Sequence, residues 1–102
     1  MDERVAVQLW VDHERGKRFV GRRVVDLSAR GVRLDHGLPY PVGTRTTMKF
    51  RLPGDLRAFS VKAEVVASRW HQGGAHTSLR FLSLSPDDEL RIHAYIERCA
   101  VE

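Results

Sequence analysis

Apolar side chains recur at every second residue through most of this chain, and that period restricts the backbone to extended strands. Only a strand puts residues i and i+2 on one face. Val5, Val7, Leu9 and Val11 alternate with Ala6, Gln8, Trp10 and Asp12. Arg18 to Asp26 reads as a second strand rich in Val and Phe, and Gly31 to Asp35 continues after a short break. Met48, Phe50 and Leu52 alternate with Thr47, Lys49 and Arg51. Phe59, Val61, Ala63, Val65 and Ala67 form the cleanest apolar row, with Ser60, Lys62, Glu64 and Ser68 among the polar positions. Leu79 and Phe81 alternate with Ser78 and Arg80. Residues that favour turns fall between these runs: Pro39-Tyr40-Pro41-Val42-Gly43, Pro53-Gly54-Asp55 and Gln72-Gly73-Gly74. Proline removes ladder donors and glycine reaches backbone angles closed to other residues. Six or seven short antiparallel strands at this spacing predict an all-β barrel or sandwich, and a closed barrel would leave no exposed edge.

The period changes only at the end. Ser85 can cap a helix, Pro86 suits its first position, and Asp87, Asp88 and Glu89 suit the positive end of its dipole. Ile92, Tyr95, Ile96 and Cys99 then recur at helical spacing, which predicts a helix from Pro86 to about Val101 lying on the barrel. At 102 residues the chain is one domain, residues 1–102, without a cleft between domains.

Composition narrows the function classes. One Cys excludes an internal disulfide framework and a cysteine-rich zinc site, and Cys99 on the apolar stripe reads as a packed thiol. No apolar run is long enough for a membrane span, and Met1-Asp2-Glu3-Arg4 does not open a signal peptide. The expectation is a soluble, cytoplasmic domain with no membrane insertion. Charge is unevenly spread: Arg15 to Arg33 holds seven basic residues and one acid, while Phe81 to Glu102 holds two basic residues and five acids. The first of these segments favours an anion.

Nothing in the chain marks an enzyme. His71 and His76 share a loop region without an evident third ligand, so no metal is expected. Ser28 stands in Val25-Asp26-Leu27-Ser28-Ala29, which is not a nucleophile elbow, and no P-loop or dinucleotide fingerprint occurs. No catalytic residue and no cofactor is assigned.

The stretch Gly21-Arg22-Arg23-Val24-Val25-Asp26-Leu27-Ser28-Ala29-Arg30-Gly31-Val32-Arg33-Leu34 holds the most chemistry. Asp26 and Ser28 are two apart, so on extended backbone they share a face. A carboxylate accepts hydrogen bonds from the N1–H and N2–H₂ edge of guanine, and a hydroxyl can donate or accept beside it. Arginine forks suit phosphate and the guanine O6/N7 edge. Gly31 would let a ligand approach backbone. The same residues also make a serine-type turn that merely stabilises a strand corner. The expectation is that Asp26 and Ser28 lie on the barrel surface near Arg22 or Arg30, with Gly31 in a conformation poorly open to other residues.

Asp26-x-Ser28-x-x-Gly31 resembles the [Asp/Asn]-x-Ser-x-x-Gly motif of PilZ domains, bacterial receptors and adaptors for cyclic di-GMP. The preceding Gly-Arg-Arg-Val-Val, the following Val-Arg-Leu, and Leu79-Arg80-Phe81 with Leu-Ser-Leu-Ser-Pro-Asp-Asp before a helix are similar to the family as well. The resemblance runs from about Arg4 to Arg98. It implies a six-stranded antiparallel barrel with a C-terminal helix, and a nucleotide site of Arg4, Asp26, Ser28, Gly31, Arg22 and Arg30. The family's second motif, Arg-x-x-x-Arg, lies on an arm before the first strand. Arg4 matches its second arginine and the first would fall before Met1, which implies weak or absent nucleotide binding. Ser78 stands where the family usually has glycine. The alternative implied by the resemblance is an adaptor that needs no nucleotide and docks a protein of a motility, pilus or surface-polysaccharide system. A third reading from the residues is a small basic barrel binding nucleic acid, with Trp10, Phe19 or Trp70 as stacking platforms. Against it, Trp10 and Trp70 read as barrel-packing residues and no basic stripe is legible past the first half.

Overall fold

The computed structural model describes residues 5–15, 18–37 and 39–101, with residues 5–15, 18–20, 36, 71, 100 and 101 described in their backbone alone. Six strands alternate with turns: β1 (Val5–Arg15), β2 (Arg18–Leu27), β3 (Gly31–Gly37), β4 (Arg45–Phe50), β5 (Phe59–His71) and β6 (Gly74–Phe81). Helix α1 (Pro86–Val101) follows. The strands close into an antiparallel barrel in the order β1-β2-β3-β6-β5-β4, with β1 returning to β4 through pairs such as Val11 with Phe50 and His13 with Met48. The barrel-plus-helix architecture is the one the period predicts. β5 and β6 are longer than the alternation shows, running on to a tight turn at Gln72-Gly73.

Val61, Ala63 and Val65 point into the core, with Lys62 and Glu64 on the outside. Phe50 and Phe59 stack at 4.9 Å between ring centroids, and Phe81 lies 6.3 Å from Phe50. Leu52, Ile92 and Ile96 close this end of the core, and Tyr95 and Cys99 pack against it half-buried. Burial of such side chains is worth about 1.5–3 kcal/mol each, so the helix is held mainly by its apolar stripe. The Ser85 hydroxyl caps it by accepting from the Asp88 N–H at 3.1 Å.

Two irregularities decide which side chains face outward. In β2 the register shifts between Val24 and Asp26, and in β5 between Val65 and Ala67. A bulge adds one residue and reverses the inside–outside parity beyond it. Val24 and Leu27 are therefore both interior, three residues apart. Asp26 turns outward opposite Arg33, and Ala67 turns outward opposite Ser78. The unbroken row expected from Phe59 to Ala67 thus ends at Val65, and Val66 is 46% exposed.

Candidate nucleotide-binding face

The outward row formed by these bulges runs across four strands: Asp26 on β2, Arg33 on β3, Ser78 on β6 and Ala67 on β5. Arg33 Nη2 lies 2.6 Å from Asp26 Oδ2, with the arginine half-exposed and the carboxylate mostly covered. One step along, His76 Nε2 lies 2.9 Å from Asp35 Oδ1, and Arg69 pairs with His76 across β5 and β6. A hollow of about 390 Å³ opens on this face, lined by Arg33, Ala67, Arg69, Trp70, His76 and Ser78.

The structure rearranges the residues expected to form the site. Asp26 is 8% exposed and Ser28 only 1%, so neither is the open surface group expected. The physical reason is that β2 ends at Leu27, so strand alternation does not carry Ser28 onto the face of Asp26. The Ser28 hydroxyl is used inside its own turn: it accepts from the Arg30 N–H at 3.2 Å and reaches the Gly31 carbonyl at 3.5 Å. The Ser28 N–H also donates to the Gly31 carbonyl, at 2.9 Å. Local turn chemistry of the serine type is therefore satisfied here.

Arg22 is not on the outer face. It shares the interior side of β2 with Val24, is 5% exposed, and donates from Nη2 to the carbonyls of Ala75 at 3.1 Å and Asp35 at 3.3 Å. Its guanidinium occupies the space beside Gly37, where a Cβ would come within 2.5 Å of it. Arg30 is exposed but lines a second hollow, of about 340 Å³, with Arg80, Leu84 and Glu89 between the turn and the helix. The guanidinium beside Asp26 thus belongs to Arg33, a pairing that sequence reasoning missed because it depends on the β2–β3 register. Arg4 lies outside the described residues, as do the side chains of Trp10 and Phe19.

Gly31 is required for a different reason from the one expected. Positive backbone angles are confined, among the described residues, to Gly43, Gly54 and Gly73. At Gly31 a Cβ would instead meet the Leu79 carbonyl oxygen at 2.0 Å, because β6 runs against the turn there. Trp70 also departs from expectation: it is 70% exposed near the tip of the β5–β6 hairpin rather than packed in the barrel.

The barrel order, the terminal helix and the Asp26-x-Ser28-x-x-Gly31 turn define the fold class, an antiparallel barrel closed by a terminal helix, and comparison identifies the family. The PilZ domain model matches residues 1–98, so this chain belongs to the PilZ domain family. The Bacillus subtilis inhibitor of motility is similar in structure, with a TM-score of 0.86 at 18% identity over 98% of this chain and 50% of that one. The PilZ domain of YcgR from Escherichia coli, solved with cyclic di-GMP, gives a TM-score of 0.78 at 17% identity over 98% of this chain and 90% of that one. The PlzA protein of Borreliella burgdorferi, also solved with cyclic di-GMP, gives 0.59 at 9% identity over 94% of this chain and 50% of that one. This chain therefore spans about half the length of the first and third of these proteins. No curated protein sequence matches it.

Proposed function

We propose that this chain is a non-enzymatic PilZ signalling module whose barrel face receives cyclic di-GMP with modest affinity and passes its state to a protein partner. The observation that carries the reading is the Asp26–Arg33 pair at 2.6 Å, whose Arg33 also lines the hollow. The carboxylate matches the donor edge of guanine, and the guanidinium matches its acceptor edge or a phosphate. Family membership and the two cyclic di-GMP-bound neighbours support the choice of ligand. The likeness to an inhibitor of motility supports motility control as the output, with pilus and surface-polysaccharide systems as the other candidates.

Calorimetric titration with cyclic di-GMP tests the reading. Losing one charged hydrogen-bonding partner costs about 1.5–3 kcal/mol, or roughly ten- to a hundredfold in affinity. Asp26→Asn and Arg33→Ala should each weaken binding within that range. Tight binding that survives both substitutions would place the nucleotide elsewhere.

A second reading has its own observation. The Ser28 hydroxyl is spent within its turn, so the signature also serves as a fixed strand corner. On that reading the domain is a nucleotide-independent adaptor, and its exposed basic residues, among them Arg30 and Arg33, dock an acidic protein surface. A flat titration with an intact fold would favour it.

A further inference from the structure

One step along the strands from the Asp26–Arg33 row, Arg45, Glu64 and Arg80 face one another across β4, β5 and β6. Glu64 serves both arginines: Oε1 lies 3.3 Å from Arg45 Nε, and Oε2 lies 3.5 Å from Arg80 Nη2. The two arginine side chains still leave 74% and 56% of their surface in water, so each keeps donors for another acid. Lys62, opposite Thr47, is exposed, and no acid among the described residues pairs with it. Two hollows open along this row. One, of about 250 Å³, is lined by Arg45, Thr47, Lys62 and Leu82. The other, the hollow of about 340 Å³ between the signature turn and the helix, is lined by Arg30, Arg80, Leu82 and Leu84. They meet at the half-buried Leu82, whose N–H donates to the Lys62 carbonyl at 2.8 Å. Together they form one groove from β4 over β5 and the end of β6 to the turn before β3. Three inter-strand steps make it about 14 Å long.

We infer that this groove docks an acidic amphipathic helix of a protein partner, its apolar stripe on Leu82 and Leu84 and its carboxylates on Arg45, Lys62 and Arg80. The leucines supply apolar surface, and Arg30, Arg45, Lys62 and Arg80 outnumber Glu64 and Glu89 along the groove. About ten helical residues cover 14 Å, and flanking acids on such a helix reach the cations on either side of its stripe. A second copy of this chain is the weaker occupant. The acids at the start of its helix are engaged, Asp87 by Arg57 and Asp88 by Arg91, and Ile92 and Ile96 lie in its own core. A nucleic-acid strand is disfavoured by the two carboxylates and because no exposed aromatic among the described residues lines the groove. A lipid surface would need apolar groups that protrude, not a hollow. The inference locates the protein partner of the function proposed above and rests on that half of it alone, since the groove needs no nucleotide.

The test titrates the full chain into two labelled helical peptides of equal charge and reads fluorescence anisotropy. One peptide carries a leucine stripe flanked by glutamates, and the other has glutamine in place of each leucine. The leucine peptide should bind at least about tenfold more tightly, because only it buries apolar surface in the groove. Lys62→Glu and Arg45→Glu should each weaken it roughly two- to thirtyfold. Arg98→Glu makes the same charge change on α1, about two and a half turns beyond Glu89, and should leave its affinity unchanged. Amide shifts in an NMR titration should centre on Arg45, Lys62, Leu82 and Leu84. Equal binding of the two peptides, or equal loss in Arg98→Glu and Lys62→Glu, would overturn the groove, since net charge alone would then be sensed. Tighter binding of single-stranded DNA or of phosphatidylglycerol vesicles would overturn it too, as would a dimer in light scattering that Lys62→Glu dissociates. Cyclic di-GMP is titrated separately. If it does not bind while the leucine peptide does, the nucleotide half of the proposed function fails and the groove stands. If it binds while neither peptide does, the groove is overturned and the nucleotide site stands.

Discussion

Gly31 and Arg22 show how single residues are fixed by neighbours far away in the chain. At Gly31 the obstacle to a side chain is the backbone of β6, with the Leu79 carbonyl 2.0 Å from where a Cβ would stand. Backbone cannot rotate aside as a side chain can, so Gly31→Ala must push β3 off β6. Overpacking of this kind costs about 1–3 kcal/mol, and urea denaturation should show a lower midpoint and an unfolding free energy reduced by that amount. An unchanged midpoint would mean that the two strands are not in close contact at the turn. Arg22 makes a complementary case. Its guanidinium serves the carbonyls of Asp35 and Ala75 inside the barrel. Arg22→Met keeps most of the bulk but leaves those acceptors without this donor, at a cost of about 1–3 kcal/mol. The same variant should bind cyclic di-GMP as the wild-type chain does. Lost affinity in a fully folded Arg22→Met protein would contradict the interior placement.

At the scale of elements, the turn after β4 is fastened to the start of α1. Arg91 donates to the Asp55 carboxylate from Nε at 3.1 Å and from Nη2 at 2.8 Å, and to Asp88 from Nη1 at 2.9 Å. Its guanidinium also lies 3.9 Å from the centroid of the Phe59 ring. The Asp55 carboxyl is held below its ordinary value of 3.8, first by the Arg57 backbone N–H and then by the hydrogen bonds from Arg91. A carboxyl whose pKa is depressed by folding adds stability above its unfolded value and loses it as pH falls through the folded value. The contribution is thus complete at neutral pH and disappears below 3.8. Melting temperatures taken across acid pH should fall less steeply for Asp55→Asn than for the wild-type chain, with the neutral-pH value lowered. Identical pH profiles would show that the latch carries no charge-dependent stability.

Over the whole molecule, a net charge of +4 is divided between a basic first half and an acidic terminal helix. The strands also place Arg45 and Lys49 on β4 and Lys62 on β5 outward, so exposed basic groups continue past the Arg15–Arg33 segment. A doubly anionic nucleotide is drawn to such a barrel over a distance that salt controls, about 10 Å at 0.1 M and about 3 Å at 1 M. Raising salt in the titration should weaken cyclic di-GMP binding through this range, and calorimetry at several salt concentrations measures it. Affinity independent of salt would argue that phosphate is not the group recognised. For docking to an acidic protein, the same change should act chiefly on the association rate.

Period-two alternation, turn residues and the capped terminal segment were enough to determine the strands, the barrel class and the helix, because these depend on local backbone preference and on one face being apolar. Asp26, Ser28 and Gly31 were likewise legible as a motif. What the tertiary structure alone decided is which side chains meet. A bulge is one unpaired residue, invisible to periodicity, yet it turns Asp26 toward Arg33 and brings Ala67 and Arg69 out to the hollow beside Trp70. The interior course of Arg22 past Gly37 and the approach of Leu79 to Gly31 arise from strands far apart in sequence. Pairing and register set these distances, and they follow from closing the whole barrel rather than from any one segment.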